Sequence, residues 1–428
     1  MKDISIAKLH RLFLSSSGVC IDTRKVQYGD IFFCLKGKHF NANEFAKKAL
    51  ENGAIYAVID EEEYYIDDRT ILVHNVLEYL QQLAAFHRRQ FNIPFVGITG
   101  TNGKTTTKEL VNAVLSKGFK THATKGNFNN HIGVPLTLLA LPKDTEIAII
   151  EMGANHIGEI EELCKIADPN YGIITSIGKA HLEGFGSIEG VVRTKIELYK
   201  SVGQSAGTVF VNSDDDRLMK LSEGIERITY GRRFDADINF EENKGSTFAS
   251  LKWSGHEINS QLVGSYNVDN MAAAIAIGDY FQIKSLQIAQ ALREYTPENK
   301  RSQWLKTDKN EIVLDAYNAN PSSMSVSLES FMSINHPNKW IILGDMLELG
   351  EESREEHKRI LNYLNSFKKE QVVLVGPEFI MSDNENKYNS FETTKIAKEY
   401  IVANPISDAL ILIKGSRGIA LEELLEYL

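Results

Sequence analysis

Short apolar runs alternate with segments of helical periodicity along most of the chain. Leu110, Val111, Val114 and Leu115, for example, recur at the spacing of one helix face before Gly118 ends their segment. Strands that alternate with helices in this way predict parallel sheets with crossover helices. The apolar runs predicted to be strands are 31–35, 55–59, 95–99, 146–150, 171–177, 208–212, 312–314, 340–343, 372–375 and 409–413.

Three changes in this pattern divide the chain. Pro94 cannot donate a hydrogen bond to a sheet, so it marks a boundary before the run 95–99. Between residues 228 and 263 the runs become short and closely spaced, which predicts an antiparallel appendage with strands 237–240, 247–253 and 257–263. After Pro297 strands and helices alternate again. We therefore predict an α/β protein with a small N-terminal domain (1–91), a central parallel-sheet domain of the P-loop type (92–298) and a Rossmann-like C-terminal domain (299–428).

The composition is that of a globular protein with room for about three domains. Of its 428 residues, 43% are hydrophobic and 24% are charged. A net charge of -10 without a clustered basic face argues against a nucleic-acid partner. The first 14 residues are interrupted by Lys8, His10 and Arg11, and no apolar run is long enough for a membrane helix, so we expect a cytoplasmic protein. Three cysteines without metal-ligand spacing are predicted to be buried thiols: Cys20, Cys34 and Cys164.

The strongest chemical signal is a glycine loop between the run 95–99 and the helical segment after it. Gly100 and Gly103 let backbone N–H groups close around phosphate oxygens, and the following helix N-terminus adds positive potential. Lys104 would neutralise the β- and γ-phosphates, and Thr105 suits Mg²⁺. The pattern is a variant, because Ile98 stands where the general P-loop has Gly; the alternative is a glycine turn with a surface lysine. The predicted ATP-binding residues of the loop are Thr99, Gly100, Thr101, Asn102, Gly103, Lys104, Thr105 and Thr106.

Polar residues follow two further strands of the predicted central sheet. Glu151 ends one run at the sheet edge where ligands bind, so it can bind Mg²⁺, unless it only forms a turn. His181 follows the next run, although a lone His after a strand is more often a structural hydrogen-bond partner. Lys195 by default would be a solvated helix lysine or a partner of Glu197.

Other polar clusters suit substrate recognition. The segment 125–135 is dense in amides, Asn127, Asn129 and Asn130, which both donate and accept hydrogen bonds. Three clusters, 315–321, 344–350 and 414–418, follow C-terminal strands and so share one sheet edge. In the N-terminal domain, Asp22-Thr23-Arg24 with Lys36 downstream could hold an anion, or Asp22 and Arg24 could form a surface pair.

Six of these segments together resemble the Mur ligases over nearly the whole chain. They are Thr99 to Thr105, Gly126 to Pro135, Glu151 to Asn155, Ala180 to Gly186, Asp315 to Pro321 and Leu343 to Gly350. The last two are typical of the member that joins D-Ala-D-Ala to UDP-N-acetylmuramoyl-tripeptide. The resemblance implies an N-terminal domain for the UDP end of the substrate, a central ATPase domain, and a C-terminal domain that closes over ATP and helps to bind the dipeptide. It implies a role in peptidoglycan synthesis, and we expect a monomer.

The resemblance also implies roles for individual residues. Thr105 and Glu151 match ligands of one Mg²⁺, and His181 and Lys195 match ligands around a second, with Lys195 carbamoylated. Lys104, Glu151, His181, Lys195 and Arg301 would carry the chemistry. Asn267 matches an adenine contact, and Arg301 and Asp315 match residues that reach phosphate and ribose. The implied substrate contacts are Asp22, Thr23, Arg24, Lys36, Asn127, Asn129, Asn130, Tyr317, Asn318 and Asn320.

The expected reaction is amide formation through an acyl phosphate, which relies mostly on positioning and charge neutralisation. Two alternatives stay open. One is a related ligase with another acceptor, such as the enzyme that adds the third amino acid or a folylpolyglutamate synthase. The other is a P-loop switch or transport ATPase that hydrolyses ATP without an acceptor.

Overall fold

The N-terminal region contains a small parallel sheet of order β1-β2-β5-β6. The computed structural model describes residues 4–180, 182–383 and 387–428. Strand β2 is buried along its whole length, as expected for a continuous apolar run in a parallel sheet. The elements here are α1 (Ile6–Leu14), β1 (Gly18–Cys20), β2 (Asp30–Phe33), β3 (Lys36–Gly37), β4 (Phe40–Asn41), α2 (Ala46–Glu51), β5 (Tyr56–Ile59), β6 (Thr70–Leu72) and α3 (Val76–Arg88).

A single apolar cluster runs from this region into the central one. Leu9 of α1 and Leu83 of α3 belong to the same buried cluster as Val134 and Ile150, which lie beyond the boundary predicted at residue 91. Arg88, at the end of α3, is buried and strengthens the junction. Its guanidinium donates to the backbone oxygens of Ala167 (2.9 Å), Asp168 (2.7 Å) and Phe91 (3.2 Å) and stacks on the Phe95 ring. The two regions are therefore joined by a continuous core.

The central region is a seven-stranded parallel sheet of order β13-β12-β11-β10-β7-β9-β8. Alternate residues of its strands enter two cores: Phe95 packs in one and Val96 in the other. Helices cover both faces, which confirms the predicted parallel α/β architecture. The elements are β7 (Phe95–Thr99), α4 (Lys104–Leu115), β8 (Thr121–Ala123), α5 (Gly133–Leu139), β9 (Ile147–Glu151), α6 (Glu159–Ala167), β10 (Tyr171–Ile174), α7 (Leu182–Phe185), α8 (Ile188–Gln204), β11 (Thr208–Asn212), α9 (Asp216–Leu221), β12 (Glu226–Gly231) and β13 (Ile238–Asn239).

The predicted appendage exists, but one of its predicted strands belongs elsewhere. The antiparallel sheet consists of β14 (Glu241–Glu242), β15 (Phe248–Trp253) and β16 (His256–Val263), followed by α10 (Asn267–Tyr280) and α11 (Ser285–Glu294). The run 237–240 was placed in this appendage wrongly, because β13 pairs in parallel with β12. Asp237 Oδ2 accepts from the backbone N–H (2.8 Å) and the hydroxyl (2.6 Å) of Thr229, and these bonds hold the chain in that direction.

The C-terminal region is a six-stranded sheet of order β17-β18-β22-β19-β20-β21, parallel except for edge strand β17. It confirms the predicted second α/β unit. Its elements are β17 (Gln303–Lys306), β18 (Asn310–Asp315), α12 (Pro321–Ser333), β19 (Lys339–Gly344), α13 (Ser353–Tyr363), β20 (Val372–Val375), α14 (Pro377–Ser382), β21 (Asn389–Phe391), α15 (Thr394–Ala403) and β22 (Ala409–Lys414). Short 3₁₀ helices of the chain lie at Ala42–Phe45, Glu62–Tyr64, Gly350–Glu352, Leu364–Ser366, Lys369–Gln371, Arg417–Ile419 and Leu421–Tyr427.

The structure also tests the predicted burial of the cysteines and the expectation that the chain has no membrane helix. All three cysteines are free thiols; Cys34 and Cys164 are buried as predicted, whereas Cys20 is only half-buried. Burial raises the pKa of both buried thiols to about 12, so they are inert at neutral pH. Within the described ranges, no helix combines the length and the apolar character that a membrane crossing requires.

Candidate active site

The loop between β7 and α4 has the backbone shape that the glycines predict. Gly103 is left-handed (φ 82°) immediately before the helix. At Gly100 (φ 147°) a Cβ atom would lie 2.1 Å from Thr175 Oγ1, so a side chain is excluded there. Lys104 Nζ donates to the carbonyl oxygens of Gly100 (2.7 Å) and Thr101 (3.0 Å), which holds the ammonium group over the loop. Burial lowers the pKa of Lys104 to about 8.

Thr175 and Ser176, which the sequence predicts to lie inside a strand, form hydrogen bonds to this loop from the end of β10. The predicted run 171–177 ends as a strand at Ile174. Thr175 Oγ1 donates to the Asn102 carbonyl (2.5 Å), and Ser176 Oγ accepts from the Asn102 N–H (3.0 Å). These side-chain bonds add to the backbone bonds from Thr175 N–H to the Thr99 carbonyl (2.9 Å) and from Thr101 N–H to the Ser176 carbonyl (2.8 Å).

Glu151 lies beside Thr105 at the adjoining strand end. Its Oε1 accepts from Thr105 Oγ1 (3.1 Å) and from Asn129 Nδ2 (2.8 Å). Its buried Oε2 accepts no hydrogen bond from any residue in the described ranges. A buried carboxylate oxygen that lacks a donor suits a hard divalent cation, so this donor set fits Mg²⁺.

Lys108 is a neighbour of this site that the sequence analysis missed. Its side chain is fully buried, and Nζ donates to the Thr124 carbonyl (2.7 Å) and pairs with Glu109 (2.9 Å). Nζ also lies 3.7 Å from Glu151 Oε2. The available signal was its spacing of four residues from Lys104, which places both lysines on one helix face.

Lys195 is buried, with only 2% of its surface exposed, so the solvated alternative is wrong. Burial is the main cause that lowers its pKa to about 7, and the positive charge of Lys104 adds to the effect. Glu197 is instead bound by the backbone N–H groups of Gly158 (3.0 Å) and Glu161 (2.9 Å). The nearby Phe185 ring lies 5.5 Å from Lys195 Nζ. His181, the other predicted ligand here, lies outside the described residues.

The C-terminal clusters approach the phosphate loop through Asn320. Asn320 Nδ2 donates to Asn102 Oδ1 (2.8 Å), and the Asn320 side chain also caps α12. Arg301 Cζ lies 3.9 Å from the centre of the Tyr317 ring, and its buried Nε has no hydrogen-bond partner in the described part of the chain. Asn318 is exposed.

Asp315 and Asn267 have partners inside the protein. Asp315 Oδ2 lies 2.5 Å from the ammonium of the buried Lys414. Asn267 is buried; its Nδ2 donates to the Val263 carbonyl (2.8 Å) and its Oδ1 accepts from Asn270 (2.9 Å). Asn270 in turn accepts from Thr107 Oγ1 (3.0 Å), so α10 is tied to α4.

The remaining predicted substrate residues form local contacts. Arg24, with 85% of its side chain exposed, makes a forked pair with Asp22 (2.9 and 2.8 Å), which is the surface pair that the spacing also allowed. Thr23 contributes its carbonyl to Asn52. Lys36 pairs with Asp60 (3.0 Å) and Glu61 (3.2 Å). In the amide-rich segment, Asn130 accepts from two backbone N–H groups at the start of α5, and Asn127 is exposed.

Comparison with known proteins identifies the family. Three family models match in chain order: "Mur ligase family, catalytic domain" (residues 15–88), "Mur ligase middle domain" (98–278) and "Mur ligase, glutamate ligase domain" (300–417). The UDP-N-acetylmuramoyl-tripeptide--D-alanyl-D-alanine ligase of Bacillus subtilis is 34% identical, over 96% of this chain and 93% of that protein. The chain belongs to the Mur ligase family. The protein of the same name from Escherichia coli is 30% identical to this Mur ligase, over 100% of this chain and 97% of that one.

Solved structures agree with this assignment. MurF from Acinetobacter baumannii superposes on this Mur ligase with a TM-score of 0.84 at 28% identity, covering 97% of each chain. MurF ligase from Thermotoga maritima, solved in complex with ADP, gives 0.83 at 28% identity, again over 97% of each chain. Folylpolyglutamate synthase from Mycobacterium tuberculosis shares the fold, with a TM-score of 0.65 at 14% identity over 82% of this chain and 93% of that one.

Proposed function

We propose that this Mur ligase uses ATP to join D-alanyl-D-alanine to UDP-N-acetylmuramoyl-tripeptide. The relatives that match over nearly their full length carry this activity in their names. The observation that carries the proposal is the bond from Asn320 to Asn102 (2.8 Å), because it brings a second polar domain onto the phosphate loop. A ligase needs such a second surface to hold an acceptor, whereas an ATPase without an acceptor does not.

The reaction has two steps. The terminal carboxylate of the tripeptide attacks the γ-phosphorus of ATP, which forms an acyl phosphate and releases ADP. The uncharged amine of the dipeptide then attacks the acyl carbon, the C–O bond to phosphate breaks, and the amine gives up a proton as the amide forms. Water would hydrolyse the acyl phosphate, so contact between the C-terminal domain and the loop serves to exclude it.

The side chains around the loop have the charges that this chemistry requires. Lys104 lies over the loop and would exchange its two carbonyl contacts for phosphate oxygens. Burial is the main cause of the lowered pKa of Lys104, the charge of Arg301 adds to it, and an anionic phosphate would offset the repulsion between the two cations. Asn267 and Asp315 are the proposed contacts of adenine and ribose.

Thr105 and Glu151 would hold one Mg²⁺, because the buried Glu151 Oε2 accepts no hydrogen bond from a described residue and has only the Lys108 ammonium at 3.7 Å. Bound Mg²⁺ neutralises phosphate charge and orients the phosphate oxygens. His181 and Lys195 are the proposed ligand residues of a second ion. Glu151 accepts from Thr105 and Asn129, and these contacts keep its carboxylate directed at the loop.

Lys195 is proposed to be carbamoylated. An uncharged amine reacts with CO₂, and burial favours the uncharged form of this lysine. The carbamate would convert a buried cation into an anion that suits Mg²⁺. Peptide mass spectrometry under mild alkaline conditions should find a carbamate on Lys195. Its absence there, together with CO₂-independent activity, would contradict this assignment.

For the other substrate, we propose that Asp22, Thr23, Arg24 and Lys36 lie at the uridine end. Asn127, Asn129 and Asn130 would face the muramoyl peptide, with Tyr317, Asn318 and Asn320 near the dipeptide. We also propose a monomer, acting in the cytoplasm where ATP is available. Sedimentation at working concentration tests the oligomeric state.

The deciding experiment incubates the protein with ATP, Mg²⁺, the nucleotide-linked tripeptide and D-Ala-D-Ala, and identifies the product by mass. We expect the pentapeptide product, with phosphate release that requires both cosubstrates. Parallel reactions replace the dipeptide with glutamate or a diamino acid. Product with one of these acceptors but not with D-Ala-D-Ala would assign a different ligase activity, and phosphate release without any acceptor would indicate a simple ATPase.

A further inference from the structure

Two lysines at the junction of the central and C-terminal domains are paired with acids. Lys414 is buried, with Nζ 2.5 Å from Asp315 Oδ2. Lys179 Nζ lies 2.7 Å from Glu356 Oε1, which joins the two domains. Their charges are already balanced, so neither lysine is free to receive the carboxylate of a substrate.

Arg417 differs from these lysines. It begins the 3₁₀ helix Arg417–Ile419, directly after β22 and the turn at Ser416, and its side chain is exposed. Among the residues that the structure describes, no acidic side chain forms an ion pair with it. Its Cζ atom lies 5.6 Å from the centre of the Tyr317 ring, on which Arg301 also stacks at 3.9 Å. Two guanidinium groups thus share one aromatic ring, an arrangement that anions stabilise.

The two arginines are placed for different anions. Arg301 is the arginine proposed above for phosphate, and its buried Nε has no hydrogen-bond partner among the described residues. Arg417 is held instead by the loop that follows β22. The Ser416 N–H donates to the Asp345 carbonyl (3.1 Å), and Ser416 Oγ accepts from the Leu347 N–H (3.0 Å). The backbone that carries Arg417 is therefore held among the C-terminal clusters.

An apolar side chain accompanies Arg417. Leu347 is 43% exposed. A Cβ atom at Gly418 would lie 3.0 Å from Leu347 Cδ1, so this leucine covers the residue next to Arg417. An unpaired guanidinium beside an exposed aliphatic group matches a carboxylate that carries a small alkyl substituent. The C-terminal end of D-alanyl-D-alanine has this chemistry.

The two segments beside Arg417 also reach the central domain. The segment of Leu347 continues to Gly350, where a Cβ atom would lie 3.5 Å from Glu183 Cβ of the central domain. The segment of Tyr317 continues to Asn320 and its bond to Asn102. Both segments therefore connect the surroundings of Arg417 with the central domain.

We propose that Arg417 binds the terminal carboxylate of the acceptor dipeptide, with Leu347 against the methyl group of the last alanine. This inference rests on the proposed function and adds the residue that recognises the terminal carboxylate of the acceptor. An amide in place of the carboxylate removes the charge that Arg417 would bind, so the acceptor itself offers a matched probe.

The test compares Arg417→Gln with the unmodified protein on two acceptors, D-Ala-D-Ala and its C-terminal amide. We expect Arg417→Gln to raise KM for D-Ala-D-Ala by about 10- to 100-fold, the usual range for a charge-assisted hydrogen bond, with KM for ATP unchanged. The unmodified protein should prefer the free carboxylate, and Arg417→Gln should lose that preference. Arg417→Lys should recover part of it, because charge remains but the forked geometry is lost.

Arg359→Gln is the matched control. This α13 side chain is 63% exposed, and its ion pair with Glu356 is long, at 3.9 Å. It should leave both KM values unchanged, and thermal melting should show that every variant is folded. If Arg417→Gln keeps the preference for the carboxylate, or raises KM for ATP equally, the inference is wrong while the proposed function stands. If the unmodified protein makes no product from D-Ala-D-Ala, the proposed function fails and this inference fails with it.

Discussion

Asn320 donates its side-chain N–H to Asn102 Oδ1 at 2.8 Å, across 218 residues of chain. Asn102 belongs to the phosphate loop, and Asn320 is the N-cap of helix α12 in the C-terminal domain. The same bond therefore joins the loop that would hold ATP to the domain that would hold the acceptor.

Replacing Asn320 with Ser separates its two roles. Serine still caps α12, but it lacks the amide that reaches Asn102. We expect kcat/KM for ligation to fall about 2- to 10-fold, which corresponds to one lost hydrogen bond, with an unchanged melting temperature. Asn320→Ala loses the cap as well and should also lower the free energy of unfolding by about 1 kcal/mol. Ligation at the original rate by Asn320→Ser would show that the bond has no role in the reaction.

Glu151→Gln should abolish most ligation and leave the protein folded. The glutamine can still accept from Thr105 and Asn129, but it loses the charge offered by the oxygen without a donor. We expect kcat to fall by at least about 100-fold and the Mg²⁺ requirement to increase. Steady-state rates across a Mg²⁺ titration measure both effects. An unchanged Mg²⁺ dependence would argue against Glu151 as a ligand.

Arg88→Met should destabilise the junction between the N-terminal and central regions. Three backbone carbonyls accept from this buried guanidinium, and methionine leaves them without donors. We expect a loss of about 2–4 kcal/mol in the free energy of unfolding, measured by chemical denaturation. Arg89→Met is the control, because Arg89 is exposed and should change stability by less than about 0.5 kcal/mol. Equal effects at both positions would contradict the role assigned to Arg88.

His10 and His87 should make the N-terminal region sensitive to acid. Their rings are buried, with Nε2 of His10 3.1 Å from Nδ1 of His87. Burial, with a smaller contribution from the charge of His10, lowers the pKa of His87 to about 4. Between pH 6.5 and 4, His87 therefore binds a proton in the unfolded chain but not in the folded protein. The free energy of unfolding falls as the pH falls through this window.

We expect the double variant His10→Leu/His87→Leu to lose less stability than the unmodified protein between pH 7 and pH 5, by about 1–2 kcal/mol. Replacing both members of the pair avoids leaving one buried nitrogen without a partner. Denaturant titrations at the two pH values provide the comparison. Parallel losses in both proteins would show that these histidines do not set the acid response.

The alternation of apolar runs with helical segments determined the three α/β units, because periodicity is a local property of the chain. The phosphate loop was equally predictable, since its glycines allow the left-handed backbone at Gly103 and the close approach of Thr175 to Gly100. Strand ends also predicted that polar residues such as Glu151 would gather at one sheet edge.

Only the tertiary structure decided contacts between residues far apart in the chain. The close spacing of the runs between residues 228 and 263 favoured antiparallel pairing, so the parallel pairing of β13 with β12 was missed. Nor does composition show that Lys108 is buried beside Glu151, or that Arg88 binds three carbonyls from two regions. Packed elements exclude water, so buried polar groups must form hydrogen bonds or ion pairs with one another. Which groups become partners is decided only when the chain has folded.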